Sequence, residues 1–458
     1  MPTILFPFGQ LAYIILSFTV IGIAFFKASK KHHVLLAAGI VTAMWQGGLW
    51  IKQLNFDIGI IHITFVALFV YRFINPGKKI KFKKSYNAIF IPWLLMTFWA
   101  FLAISKAINT TYALEGPVIF LIDAFFLWVL IENIRTPNDF RFLIKCVSWT
   151  IIIQSMISLL QFKIPFFKVG VIDDIASHMW WRAKGTLFHP NQMGIVLAFT
   201  LPVILRALIG SITLKDKAML RLTAVALGLG FIALIATYNR GSWVGIFIGL
   251  FVMITIDLFS RGSKYKKAAI GLLSVGVIVV LIGSIKFGSL IIDRFVNSDA
   301  DGQMDNRTEQ TEEAKQLIKQ HPILGVGYKN DDFYAREIFV HNNYLLIATE
   351  IGLPGLFFFL WFLAIYLALI WGGTRSKISF VSNYSKGFVA SIIAFGIASI
   401  PGPDFWIAAD VQRQFLIVLA VMISARRLES KIIEIQKNKK LNKSKISESN
   451  HTKLTIIK

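Results

Sequence analysis

The chain is short of charge and nearly without cysteine. Only 16% of its 458 residues are charged, and the acids are the scarcer sign, with 25 Asp and Glu against 48 Lys and Arg. The single cysteine, Cys146, excludes an internal disulfide and any cysteine-built metal cluster. The start, MPTILFPFGQ, lacks a basic n-region and a cleavage site, so the first apolar segment is expected to be retained. The alternating short-strand pattern of a membrane barrel is missing too. No internal repeat is visible, which weighs against inverted-repeat transporters.

What remains is apolar. Hydrophobic residues make up 55% of the chain and mean hydropathy is +0.64. Many segments run about 17–25 residues with few charges, the length that spans a hydrocarbon core as a helix. The expected fold is therefore an all-α polytopic membrane protein with about 12–13 transmembrane helices. Candidate spans are 7–26, 34–51, 57–74, 87–104, 112–131, 143–162, 191–209, 219–238, 243–259, 267–285, 343–370, 387–400 and 405–424. This divides the chain into helices 1–10 over residues 1–285, a large polar segment over 286–342, helices 11–13 over 343–424, and a basic tail over 425–458 expected to be disordered.

The net charge of +23 does not imply nucleic-acid binding. The basic residues lie in short clusters between apolar segments, the pattern that encodes membrane orientation. Alternate loops and the tail hold 33 of the 48 Lys and Arg, and that side is expected to be cytoplasmic. The loop 163–190, the helix end at Arg240 and the segment 286–342 then face outward. Within 286–342, Arg307–Gln320 reads as an amphipathic helix with Ala314, Leu317 and Ile318 on one face, free to rest on the membrane or over the bundle. Pro322 should stop it, and Gly325 and Gly327 should form a turn.

Candidate chemistry gathers at the outward boundary. His341-Asn342-Asn343-Tyr344 opens a helix, and Asn342 or Asn343 can cap it. A histidine there can serve as general base; the plainer reading is a solvated interfacial histidine. Glu350 lies deep in the same apolar helix, where a carboxylate is costly and marks either function or an interhelical hydrogen bond. Arg240, in Tyr238-Asn239-Arg240-Gly241-Ser242-Trp243, can grip a pyrophosphate bidentately or merely snorkel at a helix end. Arg182 and Lys184 could add charge at the same phosphate. Trp180 and Trp181 suit interface anchors better than a sugar platform. His189 and His321 read as loop histidines. The acidic pairs Asp173-Asp174 and Asp331-Asp332 lack the aspartate-x-aspartate spacing of metal-dependent glycosyl transfer, so a mechanism with no metal or other cofactor is favoured.

Taken in order, these motifs resemble the O-antigen ligase and O-antigen polymerase superfamily of bacterial envelope enzymes. The set is Arg182…Gly185-Thr186…Pro190-Asn191, Asn239-Arg240-Gly241-Ser242, Asn306-Arg307 to Pro322…Gly325-Val326-Gly327, and His341-Asn342…Tyr344-Leu345…Glu350-x-Gly352-x-x-Gly355. The likeness covers about residues 170–370 in motif. It implies a GT-C-like helical bundle in the plasma membrane with a large extracytoplasmic loop. It implies a metal-independent glycosyltransferase that moves a glycan from an undecaprenyl-pyrophosphate-linked oligosaccharide to a glycan or lipid-linked acceptor. On it, His341 is the catalytic histidine, Arg240 the pyrophosphate-binding arginine, and Arg182 and Arg307 further substrate-binding residues; Lys184 and Glu350 join the expected substrate-binding set by charge and depth. Thirteen spans depart from the family's commoner twelve. The rival class is a transporter of a small solute or ion, which buried carboxylates would also suit.

The orientation is testable. Cysteines introduced at Ser298 and Ser444 should differ towards an impermeant thiol reagent in intact cells, with only Ser298→Cys labelled. Labelling of Ser444→Cys alone would invert the topology.

Overall fold

The computed structural model describes residues 31–44, 49–51, 56–58, 60–75, 88–161, 182–260, 265–267, 270–271, 274, 303–334 and 340–455. The expected span 7–26, most of 267–285, the stretch 286–302 and the tryptophans at 180 and 181 lie outside them. The helices are α1 (Lys31–Val41), α2 (Ile60–Ile74), α3 (Phe90–Ala103), α4 (Thr110–Asn133), α5 (Pro137–Leu160), α6 (Pro190–Thr213) and α7 (Lys217–Ala236). They continue with α8 (Arg240–Phe259), α9 (Gln303–Gln320), α10 (Asp331–Tyr334), α11 (Asn343–Thr374), α12 (Ser379–Ala398), α13 (Asp404–Ile407) and α14 (Ala409–Thr455). Among the described residues, seven of these, α4 to α8, α11 and α12, are long and apolar enough to cross a membrane. The all-α polytopic reading holds.

Three details differ from expectation. The segment 34–51 is not one helix: α1 ends at Val41, and Leu49–Ile51 pairs antiparallel with Phe56–Ile58. Between them stand Gly47 and Gly48, the poorest helix formers after proline. The span 405–424 is two helices, α13 and the start of α14. The tail from 425, expected to be disordered, continues α14 to Thr455. Its first turns are anchored: Arg427 donates to the carbonyl of Ile131 at 2.8 Å and pairs with Glu132 at 3.1 Å.

Helix ends are set by local chemistry. Thr136 and Asp139 form a reciprocal capping box at α5, and His189 and Gln192 form one at α6. Asn109, Asp216, Asn239 and Asn342 cap α4, α7, α8 and α11 with their side-chain oxygens.

Packing follows membrane rules. Without a hydrophobic drive between helices in lipid, small residues let backbones approach. A Cβ at Gly245 would stand 2.5 Å from the carbonyl oxygen of Ala394, and one at Gly249 would stand 2.5 Å from that of Ala390. These small residues, spaced by four, join α8 to α12. α14 occupies the middle: every residue from Val411 to Ala425 is buried.

A buried ion triad ties α6, α8 and α12. Asp257 accepts from Lys386 Nζ at 2.8 Å and pairs with Arg206 Nη2 at 2.5 Å. Arg206 and Lys386, both counted among the 33 basic residues of the side expected to be cytoplasmic, therefore lie inside helices and not in loops. Ionised groups inside a bundle survive because they face one another and not lipid.

α9 is the expected amphipathic helix, and it lies over the bundle. Its Ala314 and Leu317 are buried, and it packs on α11. The turn after it is clamped: Trp99 Nε1 donates to the carbonyl of Ile323 at 3.0 Å, and the backbone N–H groups of Val326 and Gly327 donate to the carbonyls of Thr349 and Glu350. Gly325 adopts φ +66° there. α11 breaks where it meets this turn, with Gly352 at φ +72°. A Cβ on Gly352 would fall 2.1 Å from the carbonyl oxygen of Ile323, so only glycine fits.

Gly249→Val should lower the unfolding midpoint in detergent by the equivalent of about 1–3 kcal/mol, the usual cost of overpacking. Gly228→Ala, with nothing within 4 Å of the added Cβ, should not. Equal midpoints for the two variants would contradict the close α8–α12 contact.

Candidate functional site

One end of the bundle collects the N-termini of α6, α8 and α11, and with them most of the residues the motifs single out. Asn239 caps α8 by accepting from the N–H of Ser242, and its Nδ2 donates to the carbonyl of Asn191 at 3.1 Å on α6. Arg182 stitches the same two regions: Nε donates to the carbonyl of Thr237 at 2.9 Å, and Nη2 to Asn191 Oδ1 at 2.5 Å. Tyr238, between α7 and α8, sits at φ +51°. A bulky residue in the left-handed region costs of order 1–3 kcal/mol and persists only where its surroundings impose it. Arg240 follows at the first position of α8 and is half-buried.

A strap closes the site. It runs from Ser399 through Pro401 and Pro403 into α13. The backbone N–H of Asn343 donates to the carbonyl of Ser399 at 3.2 Å. Gly241 is packed so that a Cβ would meet Pro401 Cγ at 2.3 Å. The strap brings Asp404 to His189, with 3.9 Å between Oδ1 and Nδ1. Arg182 is near enough to stabilise the ionised Asp404, and His341 near enough to disfavour a charge on His189. Arg182, Lys184, His189, His341 and Asp404 thus form one electrostatic unit, with Arg240 beside it.

The two histidines differ. His189 Nδ1 accepts from the N–H of Asn191 at 3.1 Å, so the neutral ring carries its proton on Nε2. Burial, then Arg182, His341 and Lys184, push its pKa down to about 4. It is a neutral hydrogen-bond donor near pH 7 and a poor base. His341 precedes the capped start of α11 and is half-buried. Burial lowers the ammonium of Lys184, whose Nζ donates to the carbonyl of Phe188 at 3.1 Å. Asp404 is pushed up to about 7, chiefly by burial, with Arg182 opposing.

Not every expected residue joins the cluster. Arg307 lies in α9, and its side chain is outside the described residues. Glu350 is buried, and both its oxygens accept from protein donors: Oε1 from the N–H of Lys329 at 2.8 Å, Oε2 from the indole N–H of Trp406. The unit also holds residues that motif reading passes over. His189 reads as a loop histidine, and Asp404 is unremarked. The signal for Asp404 was a lone acid within Pro401-Gly402-Pro403-Asp404, ahead of an apolar helix.

Residues 224–360 match the family model described as O-antigen ligase. The match includes Arg240, His341 and Glu350, and it supports the resemblance of this chain to the O-antigen ligase and polymerase superfamily. The chain is a multi-pass membrane protein by its apolar helices, and the match over residues 224–360 supports O-antigen ligase- or polymerase-like glycan transfer in surface polysaccharide synthesis. No curated protein matches it.

The shifts have a sign in stability. Asp404 is raised from 3.8 to about 7, so its contribution is complete below pH 4 and lost as pH rises through 7. His189 is lowered from 6.5 to about 4, so its contribution is present above pH 6.5 and lost as pH falls towards 4. Asp404→Asn should flatten the loss between pH 4 and 7 in thermal unfolding, leaving the acid-side loss intact. Superimposable pH profiles for variant and parent would refute the buried, protonated Asp404.

Proposed function

We propose that this protein transfers a glycan from an undecaprenyl-pyrophosphate donor to an acceptor hydroxyl on the outer face of the plasma membrane, without a metal. One observation carries the reading: the N-termini of α6, α8 and α11 converge, bringing Arg182, Lys184 and His341 around His189, with Arg240 opening α8 next to Asn239. Helix N-termini and guanidinium groups favour anions. A pyrophosphate leaving group fits that field.

In this mechanism His341 accepts the proton of the acceptor hydroxyl as its oxygen attacks the anomeric carbon. The bond from that carbon to the pyrophosphate breaks, and the charge left on phosphate is held by Arg240, with Lys184 and Arg182 adding to the field. His189 stays neutral and offers its Nε2–H to a sugar or phosphate oxygen. The Lys-, Ile- and Phe-rich composition suits a low-GC bacterium, and in one lacking an outer membrane polymerisation of a capsular, teichuronic-type or exopolysaccharide repeat is favoured over ligation to a lipopolysaccharide core. Neighbouring genes for a flippase and glycosyltransferases would support that pathway.

Purified protein with a lipid-pyrophosphate-linked repeat unit supplies the test, in EDTA. His341→Ala should lower turnover by about 10²–10⁴-fold, the usual worth of a positioned general base. Arg240→Lys should lose most activity because an ammonium cannot reproduce the guanidinium fork. His321→Ala should be mild. Near-parental turnover in His341→Ala would reject the base assignment, and turnover only with added divalent metal would reject the metal-free mechanism.

A further inference from the structure

Asn343 and Glu350 stand seven residues apart on α11, close to two helical turns, and so face the same way. Both reach Trp406. Asn343 Oδ1 accepts from its backbone N–H at 2.9 Å, and Glu350 Oε2 accepts from its indole N–H. The carbonyl of Trp406 accepts from the Tyr328 hydroxyl at 3.1 Å and from Gln412 Nε2 at 2.9 Å. The indole is 0% exposed and packs on Phe120 and Tyr328, with ring centroids 4.8 and 5.7 Å away.

Trp406 shares a single-turn helix with Asp404. Whatever fixes the indole fixes the direction in which Asp404 faces His189. The other oxygen of Glu350 holds Lys329, a non-glycine residue at φ +53°. Such a backbone stays in place only when its surroundings hold it. Glu350 therefore joins the turn after α9 to the strap that closes the site. With both oxygens engaged and 1% of the residue exposed, it offers no surface to a substrate.

We propose that Glu350 is a positioning residue: through Trp406 it sets α13, and with it Asp404, against the His189–His341 pair, and it does not bind the donor. This role rests on the glycan-transfer reading of the site.

A double-mutant cycle on the full-length protein tests it, with the lipid-pyrophosphate-linked oligosaccharide as donor. Glu350→Gln, Trp406→Phe and the double variant would be compared, with His341→Ala as control. Trp406→Phe keeps a ring and removes the indole N–H. Each single change should lower kcat by about tenfold, the scale of one buried hydrogen bond left unmade, with donor KM moved less than about twofold. The double variant should fall short of the product of the two singles, since the amide has one acceptor oxygen for two N–H donors and Trp406→Phe relieves that competition. A raised donor KM in Glu350→Gln with none in Trp406→Phe would overturn the proposal, as would effects that multiply. Should Glu350→Gln fail to fold, Trp406→Phe alone decides: lower kcat at constant KM supports the role, and unchanged kcat overturns it. A His341→Ala variant that still turns over removes the underlying reading and this role together. An inactive His341→Ala beside multiplying Glu350 and Trp406 effects removes this role alone.

Discussion

The buried corner at Trp406 is the constraint on which the rest of this structure depends. Irregular backbone inside a membrane protein is tolerated only where protein or a water-filled cavity satisfies its polar groups. The strap from Ser399 to Ala408 is such backbone, and it lies among the helices. Asn343, Tyr328, Gln412 and Glu350 meet the polar groups of Trp406 one by one. Their origins are separate: α11, the turn after α9, and α14. The corner can form only when all three have docked, so closing the site is coupled to completing the bundle.

This coupling explains why the glycines of the motif set sit where they do. Gly325 lies against the backbone of Thr349 and Glu350, and Gly352 against that of Ile323 and Leu324, each in a conformation that other residues avoid. Neither is near His341 through its own chemistry. They let the turn after α9 lie against the break in α11, which brings the N–H of Lys329 to Glu350. A motif that looks like one catalytic block therefore divides in two. His341 and Arg240 face the convergence of helix N-termini, whereas Gly325, Gly352 and Glu350 shape the scaffold behind it.

What the sequence made legible follows from period and composition. Apolar length marks the long helices α4 to α8, α11 and α12, because hydrocarbon thickness sets that length directly, although α5 and α12 begin well ahead of the expected 143 and 387, at Pro137 and Ser379. Asn342 and Pro322 mark helix ends by local chemistry. The amphipathic stretch before Pro322 shows as α9. Other features depend on partners far away in the chain. Asp404 gains its place from packing against His189, 215 positions earlier. Lys386 and Arg206 look like loop cations until Asp257 is seen between them. Glu350 reads as a ligand-binding carboxylate because depth alone cannot say whether its partner is a substrate or an indole.

On the proposed glycan-transfer reading, the two histidines of the corner have different tasks. Two imidazoles share one positive field, and what separates them is what each ring nitrogen already does. His189 has given Nδ1 to the start of α6, so protonating it would require breaking a helix cap while adding charge beside Arg182. A site that binds an anion must be positive, and a positive site depresses the basicity of any histidine within it. A bound pyrophosphate would partly neutralise that field. The proposed mechanism therefore has the donor bind before His341 takes the acceptor's proton. Such an order of events keeps the acceptor hydroxyl protonated until the leaving group stands opposite it.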